Sequence, residues 1–158
     1  MTNNDLKHLR YCLRLAEDAL EAGDQPFGSV LVNAENEVLA EARNRINEIN
    51  NLAHPEIALA RWAAEHLSEG DRKRTTLYTS GEHCPMCAAA HGWVGLGKIV
   101  YLSSGQQLSA WLKEMNAPPA PFNMIPIRDI APAVEVVGPV PELADQIKGL
   151  HRRYYQQG

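Results

Sequence analysis

The chain has 158 residues, with 15 Lys and Arg against 19 Asp and Glu, a formal net charge of −4. At 45% hydrophobic and 22% charged residues it has ordinary globular usage, which excludes a disordered, collagenous or disulfide-framework protein. Its apolar runs are far shorter than the ~20 residues that span a bilayer, and MTNNDLKHLR contains no apolar signal core, so a soluble, cytoplasmic protein is expected.

Leu6, Leu9, Leu13, Ala16 and Leu20 recur at helical spacing, with Gly23 as a stop. Cys12 falls among these apolar positions and reads as a small core residue. Phe27 to Asn33 and Val38 to Arg45 then form a β-hairpin, turned by Ala34 to Glu37. Pro55 to Leu67 is helical, with proline tolerated in the first turn, where a missing N–H costs nothing. Thr75 to Ser80, Cys84 to Gly95 and Lys98 to Ser103 read as strand, helix and strand, an order that implies a parallel crossover. A further helix is expected from Gln106 to Met115. Seven of the ten prolines lie between Pro118 and Pro141, which makes Met124 to Ile127 and Ala133 to Val137 short strands or extended loop. A last helix runs from Pro141 to about Gln156. With no repeat or linker, residues 1–158 read as one α/β domain.

The chemistry concentrates in His54-Pro55-Glu56 and, 28 residues after the glutamate, Cys84-Pro85-Met86-Cys87. Two thiols three residues apart at a helix start sit at its positive end, which favours thiolate, and together they can clamp zinc. A catalytic zinc takes three protein ligands and leaves one position for water, so one imidazole completes the set and His54 supplies it. Glu56, beside His54, then moves protons without being a ligand. A rival set would use His91, four residues after Cys87, but it leaves Glu56 idle. His83 reads as a loop residue beside the ligands, and His8, His66 and His151 as surface residues. No basic run exceeds Arg72-Lys73-Arg74, so a small uncharged or cationic substrate is favoured over nucleic acid.

The H-x-E with a following C-x-x-C resembles the signature of zinc nucleobase deaminases, and the chain resembles the cytidine deaminase-like superfamily over nearly its whole length. Pro26-Phe27-Gly28-Ser29-Val30 is similar to the P-F-G-A-V strand and Asn44 to the asparagine ending the second strand. Leu77-Tyr78-Thr79-Ser80 leads to Glu82 and C-P-M-C as in bacterial guanine deaminases and their tRNA adenosine deaminase relatives. Pro55 replaces the family's usual alanine and His83 its usual proline.

The resemblance implies a three-layer sandwich, a mixed sheet of about five strands flanked by helices. It also implies a Zn2+ hydrolase turning guanine into xanthine and ammonia. Cytosine, triazine or pterin rings, tRNA adenosine, and a zinc-stabilised module without turnover are the alternatives. Phe27 would pack on the ring and Asn44 bond its edge. Glu114, or else Asp129, would read the guanine N–H edge. The resemblance further implies a homodimer in which Tyr154 or Tyr155 closes a cavity, with the C-terminal segment swapped onto the partner subunit, although a last helix packed on its own sheet is the alternative.

Overall fold

The computed structural model describes residues 1–156. The elements, in chain order, are α1 (Asn3–Glu21), β1 (Gly28–Val32), β2 (Val38–Arg43), α2 (Pro55–His66), α3 (Glu69–Lys73), β3 (Thr76–Gly81), α4 (Pro85–Val94), β4 (Lys98–Ser103), α5 (Gly105–Glu114), α6 (Ile127–Ile130), β5 (Val136–Val137) and α7 (Pro141–Gln156). The strands form one sheet in the order β2-β1-β3-β4-β5. β1 is antiparallel to β2 and β3, whereas β3, β4 and β5 run parallel, so the mixed five-stranded sheet is the expected one.

The two-residue period of the strands divides the core. Val30, Val32, Tyr78, Val100 and Leu102 meet Leu9, Leu13 and Ala16 of α1 and Leu143 and Ile147 of α7. The alternate residues Leu31 and Leu77 meet Leu59 and Ala63 of α2, and Ile99 and Tyr101 meet Ala88 of α4. Cys12 is fully buried in the first of these clusters, as expected of a core thiol.

Two short elements differ from the sequence reading. α3 is started by Ser68, whose side chain accepts from Asp71 N. Residues 127–130 are a helical turn, not extended chain, because Pro126 sits outside the turn in extended conformation and the Ile127 N–H donates to Glu82. The proline-rich stretch is otherwise as expected, with β5 its only strand among the described residues.

β1 crosses α1 so closely that a Cβ at Gly28 would stand 2.4 Å from Leu15 Cβ and 2.6 Å from Cys12 O. Only glycine fits there, and this close approach sets where Phe27 and Ser29 lie on either side of it.

Candidate metal and nucleobase site

Both metal-donor helices begin in the same way. His54 is the N-cap of α2 and Cys84 the N-cap of α4, each extended (φ −87, ψ 147 and φ −66, ψ 165), and each precedes a proline in the first turn. A residue before proline is steered away from helical geometry, and proline starts a helix without losing a needed hydrogen bond. Each donor is therefore held at a helix mouth by its neighbour in sequence. Cys87 follows one turn into α4.

His54 Nδ1 lies 3.6 Å from both Cys84 Sγ and Cys87 Sγ, and the donor atoms of the three residues lie within 4.8 Å of one another. Two sulfurs and one imidazole nitrogen in that space are the donor chemistry of a three-ligand zinc site with one open position. Hydrogen bonding with Cys87, and next with His54, holds the Cys84 thiol well below its ordinary range, which suits a thiolate ligand. His91 is outside this cluster. Its Nε2 bonds Gly97 O at 2.7 Å and its Nδ1 meets His83 Nε2 at 3.2 Å, so both ring nitrogens are engaged elsewhere.

Glu56 is buried at the first turn of α2. Burial raises its pKa, against the opposing pull of His54. The Thr79 hydroxyl lies 3.0 Å from Glu56 Oε1. Oε2 has no protein hydrogen bond among the described residues, yet it is not one of the fully shielded unpaired atoms.

These groups open onto a cavity of about 410 Å³. Phe27, Asn44, His54, Glu56, Cys84, Tyr154 and Tyr155 all line it, Cys87 joins the site through the donor cluster, and the two acidic candidates lie elsewhere. The Asn44 N–H donates to Phe27 O, tying the two together, and its Oδ1 accepts from Ile46 N, while its NH2 has no partner among the described residues. The segment from 44 to 47 is staked by the buried Asp24, which accepts from Asn47 N at 2.8 Å and pairs with Arg43 at 3.1 Å.

The first of these is Glu114. It is 57% exposed, ion-paired with Lys148 at 3.0 Å, and lies outside this cavity in a separate surface depression. The end of α5 points it toward α7, not toward the ring site. Asp129 is also exposed and outside the cavity lining.

The tail differs in part from the expected swap. α7 packs on α1 and β4 of its own chain, because Leu143 and Ile147 fill the core there. Its tyrosines line that same chain's cavity. Gln25 Nε2 donates to Tyr155 Oη at 3.3 Å and Asn47 Nδ2 to Tyr154 Oη at 3.1 Å. Two of the histidines expected at the surface are buried as well. His8 bonds Asn36 Oδ1 at 2.7 Å, and His151 lines the cavity; only His66 is exposed as expected.

The sequence reading also missed Asp24 and the wall from Pro118 to Phe122. Glu82, part of the motif before Cys84 but without a role in the sequence reading, accepts with its two carboxylate oxygens from Gly105 N at 2.8 Å and Ile127 N at 2.9 Å. The four-residue spacing of Leu143, Ile147 and His151 on α7 is the available signal for His151; the motif signals Glu82 but not what it holds.

Among known proteins, this sheet with this donor set is that of the zinc-binding deaminases. The family described as the cytidine and deoxycytidylate deaminase zinc-binding region matches residues 2–103, and the chain belongs to it. It is 29% identical over 163 residues to a probable cytosine deaminase of Schizosaccharomyces pombe, a match covering all of this chain and 96% of that one. It is 34% identical over 95 residues to a guanine deaminase of Bacillus subtilis, covering 59% of this chain and 60% of that one. A tRNA-specific adenosine deaminase of Agrobacterium fabrum is 38% identical over 87 residues, covering 54% and 57%. The fold is similar to the solved guanine deaminase from Nitrosomonas europaea, with a TM-score of 0.72 at 22% identity, over 94% of this chain and 83% of that one. Family and fold define a hydrolytic deaminase of nucleobase or nucleoside amines that binds zinc.

Proposed function

We propose that the protein deaminates a free nucleobase, guanine to xanthine and ammonia, with His54, Cys84 and Cys87 as zinc ligands and Glu56 as proton shuttle. The observation that carries this reading is the cavity of about 410 Å³, in which Phe27, Tyr154 and Tyr155 line the same space as His54, Glu56 and Cys84. A concave site with apolar walls and a few polar groups suits a small planar ring. The net charge of −4 also favours a small substrate over tRNA.

Zinc, when bound, lowers the pKa of water at its open position toward neutrality. Glu56 Oε2 carries one proton of the attacking water to the ring nitrogen beside the amine-bearing carbon and then the second, from the new hydroxyl, to the exocyclic amine, so that the C–N bond breaks, ammonia leaves and the carbon becomes a carbonyl. Asn44 donates its free NH2 to an acceptor on the ring edge, and Phe27 packs on the ring face. The tyrosines exclude bulk water. We read the protein as a cytoplasmic homodimer formed from one such domain per chain.

Cytosine is the second reading, because the Schizosaccharomyces pombe relative matches along the entire chain and Glu114 does not face the cavity to read a guanine edge. Ammonia release from guanine, adenine, cytosine, their nucleosides and aminated triazines separates the readings. Guanine as the preferred substrate is expected; release only from cytosine or a triazine replaces guanine, and release only from a nucleoside overturns the free-base assignment.

A further inference from the structure

We propose that His151 is a substrate-reading residue, whose imidazole forms a hydrogen bond to a heteroatom on the edge of the bound ring.

His151 is 2% exposed, yet among the described residues neither of its ring nitrogens has a hydrogen-bond partner. A buried polar group without a partner costs free energy, so native interiors pair such groups almost without exception. The only fully shielded, unpaired side-chain nitrogen or oxygen among the described residues is His83 Nδ1. The His151 nitrogens therefore retain access to open space, and the space this residue lines is the cavity that holds Glu56 and Asn44.

The ring is fixed from two sides. Phe27 stands edge-on to it, with centroids 5.0 Å apart and planes at 62°, and Trp111 lies 6.2 Å away. An imidazole pinned between two aromatic rings with its polar atoms unpaired is preorganised to receive a polar partner. Burial lowers its pKa to about 4, so the ring is neutral near pH 7 and offers one N–H donor and one lone pair.

That pair suits a heteroaromatic ring, whose edge alternates ring nitrogens, carbonyl oxygens and N–H groups. It does not suit an anion, which needs donors only. Asn44 brings its NH2 to the cavity, and its oxygen already accepts one bond from Ile46 N. His151 adds a second polar contact, one that donates or accepts according to its tautomer, and so takes part in selecting which ring edge binds. The assignment rests on the nucleobase reading above.

The test measures binding of guanine, cytosine, adenine and melamine to the Glu56→Gln protein by calorimetry, with and without His151→Phe. In parallel, long-range 15N spectra follow the imidazole nitrogens, and the protein with Glu56 intact is assayed for ammonia release. The preferred ring is expected to move a His151 nitrogen resonance. His151→Phe is expected to weaken its binding by about ten-fold, the scale of one lost hydrogen bond, with zinc content unchanged. His151→Gln is expected to recover part of that loss. Binding that leaves the His151 resonances unmoved overturns the inference even if His151→Phe fails to fold, and so does equal affinity of the two proteins. A ring that binds and shifts His151 without releasing ammonia sustains the inference and refutes the deaminase reading; if no ring binds, both fall.

Discussion

Ser29 and Thr79 stand directly opposite each other across the antiparallel β1–β3 pair, with their hydroxyls 2.8 Å apart. The Thr79 hydroxyl in turn lies 3.0 Å from Glu56 Oε1. When Ser29 donates to Thr79, the single Thr79 proton has two acceptors at 3.0 Å, Glu56 Oε1 and Gly81 O. The register of two strands thereby orients a side chain on a helix and leaves its other oxygen facing the cavity.

Thr79→Val keeps the shape and removes this donor. We expect kcat to fall by about ten-fold, on the scale of one hydrogen bond to a charged group, with zinc content unchanged. Steady-state kinetics with metal analysis check it; loss of metal instead would make Thr79 a folding residue for the donor helices.

Glu56→Gln should retain fold and zinc and lose catalysis by ~10²–10⁴-fold or more, because an amide cannot accept the proton and the same residue serves both transfers. Activity within a few-fold of the unaltered protein would end the proton-shuttle assignment.

Metal analysis should find about one zinc per chain, as a three-donor set with one open position predicts. His54→Ala is expected to lose the metal. His91→Ala is expected to keep it, since His91 is committed to His83 and Gly97. The reverse pattern would transfer the ligand role to α4 alone.

Removing the residues after Arg153 takes away both tyrosines but leaves Leu143, Ile147 and His151 in the core. The shortened protein should fold and bind zinc while KM rises by about ten-fold or more, because the ring loses one wall of its cavity. Unchanged kinetics would reduce the tyrosines to packing.

His151 also makes a prediction for pH. Its folded pKa, lowered by burial to about 4, lies below the ~6.5 of an unfolded histidine. The unfolded chain therefore takes up the proton first as pH falls. This histidine's contribution is fully present above about pH 6.5 and is lost progressively down to about pH 4. Urea melts of the unaltered protein and of His151→Phe between these limits should show the variant with the shallower decline. Parallel curves would contradict burial of a neutral ring.

The parts of the site that were legible in the sequence are those written locally. His54-Pro55 and Cys84-Pro85 each encode a helix start together with the donor at its mouth, so spacing and chemistry agree within a few residues. The mixed sheet was legible for the same reason, as hairpin and crossover are local patterns. Glu114 misled because its position relative to the site depends on how α5 packs, which counting residues from Cys87 does not encode. His151 reads as a surface residue because polar neighbours surround it in sequence, yet it lies on the inward stripe of α7 with Leu143 and Ile147. Glu82 is legible as part of a motif but its role is not, since its partners are backbone N–H groups of Gly105 and Ile127, which carry no side-chain signature.

The docking of α7 on α1 has a consequence for how the protein comes into being. Every metal donor lies between residues 54 and 87, whereas the ring cavity needs Phe27 from one end of the described chain and His151 to Tyr155 from the other. On the ribosome the zinc donors emerge well before α7 does. A nascent or clipped chain that lacks α7 carries every donor yet misses Leu143 and Ile147 of the core and one wall of the ring cavity. Core and cavity are thus completed by the same helix, and the ring site can take shape only after α7 has been made.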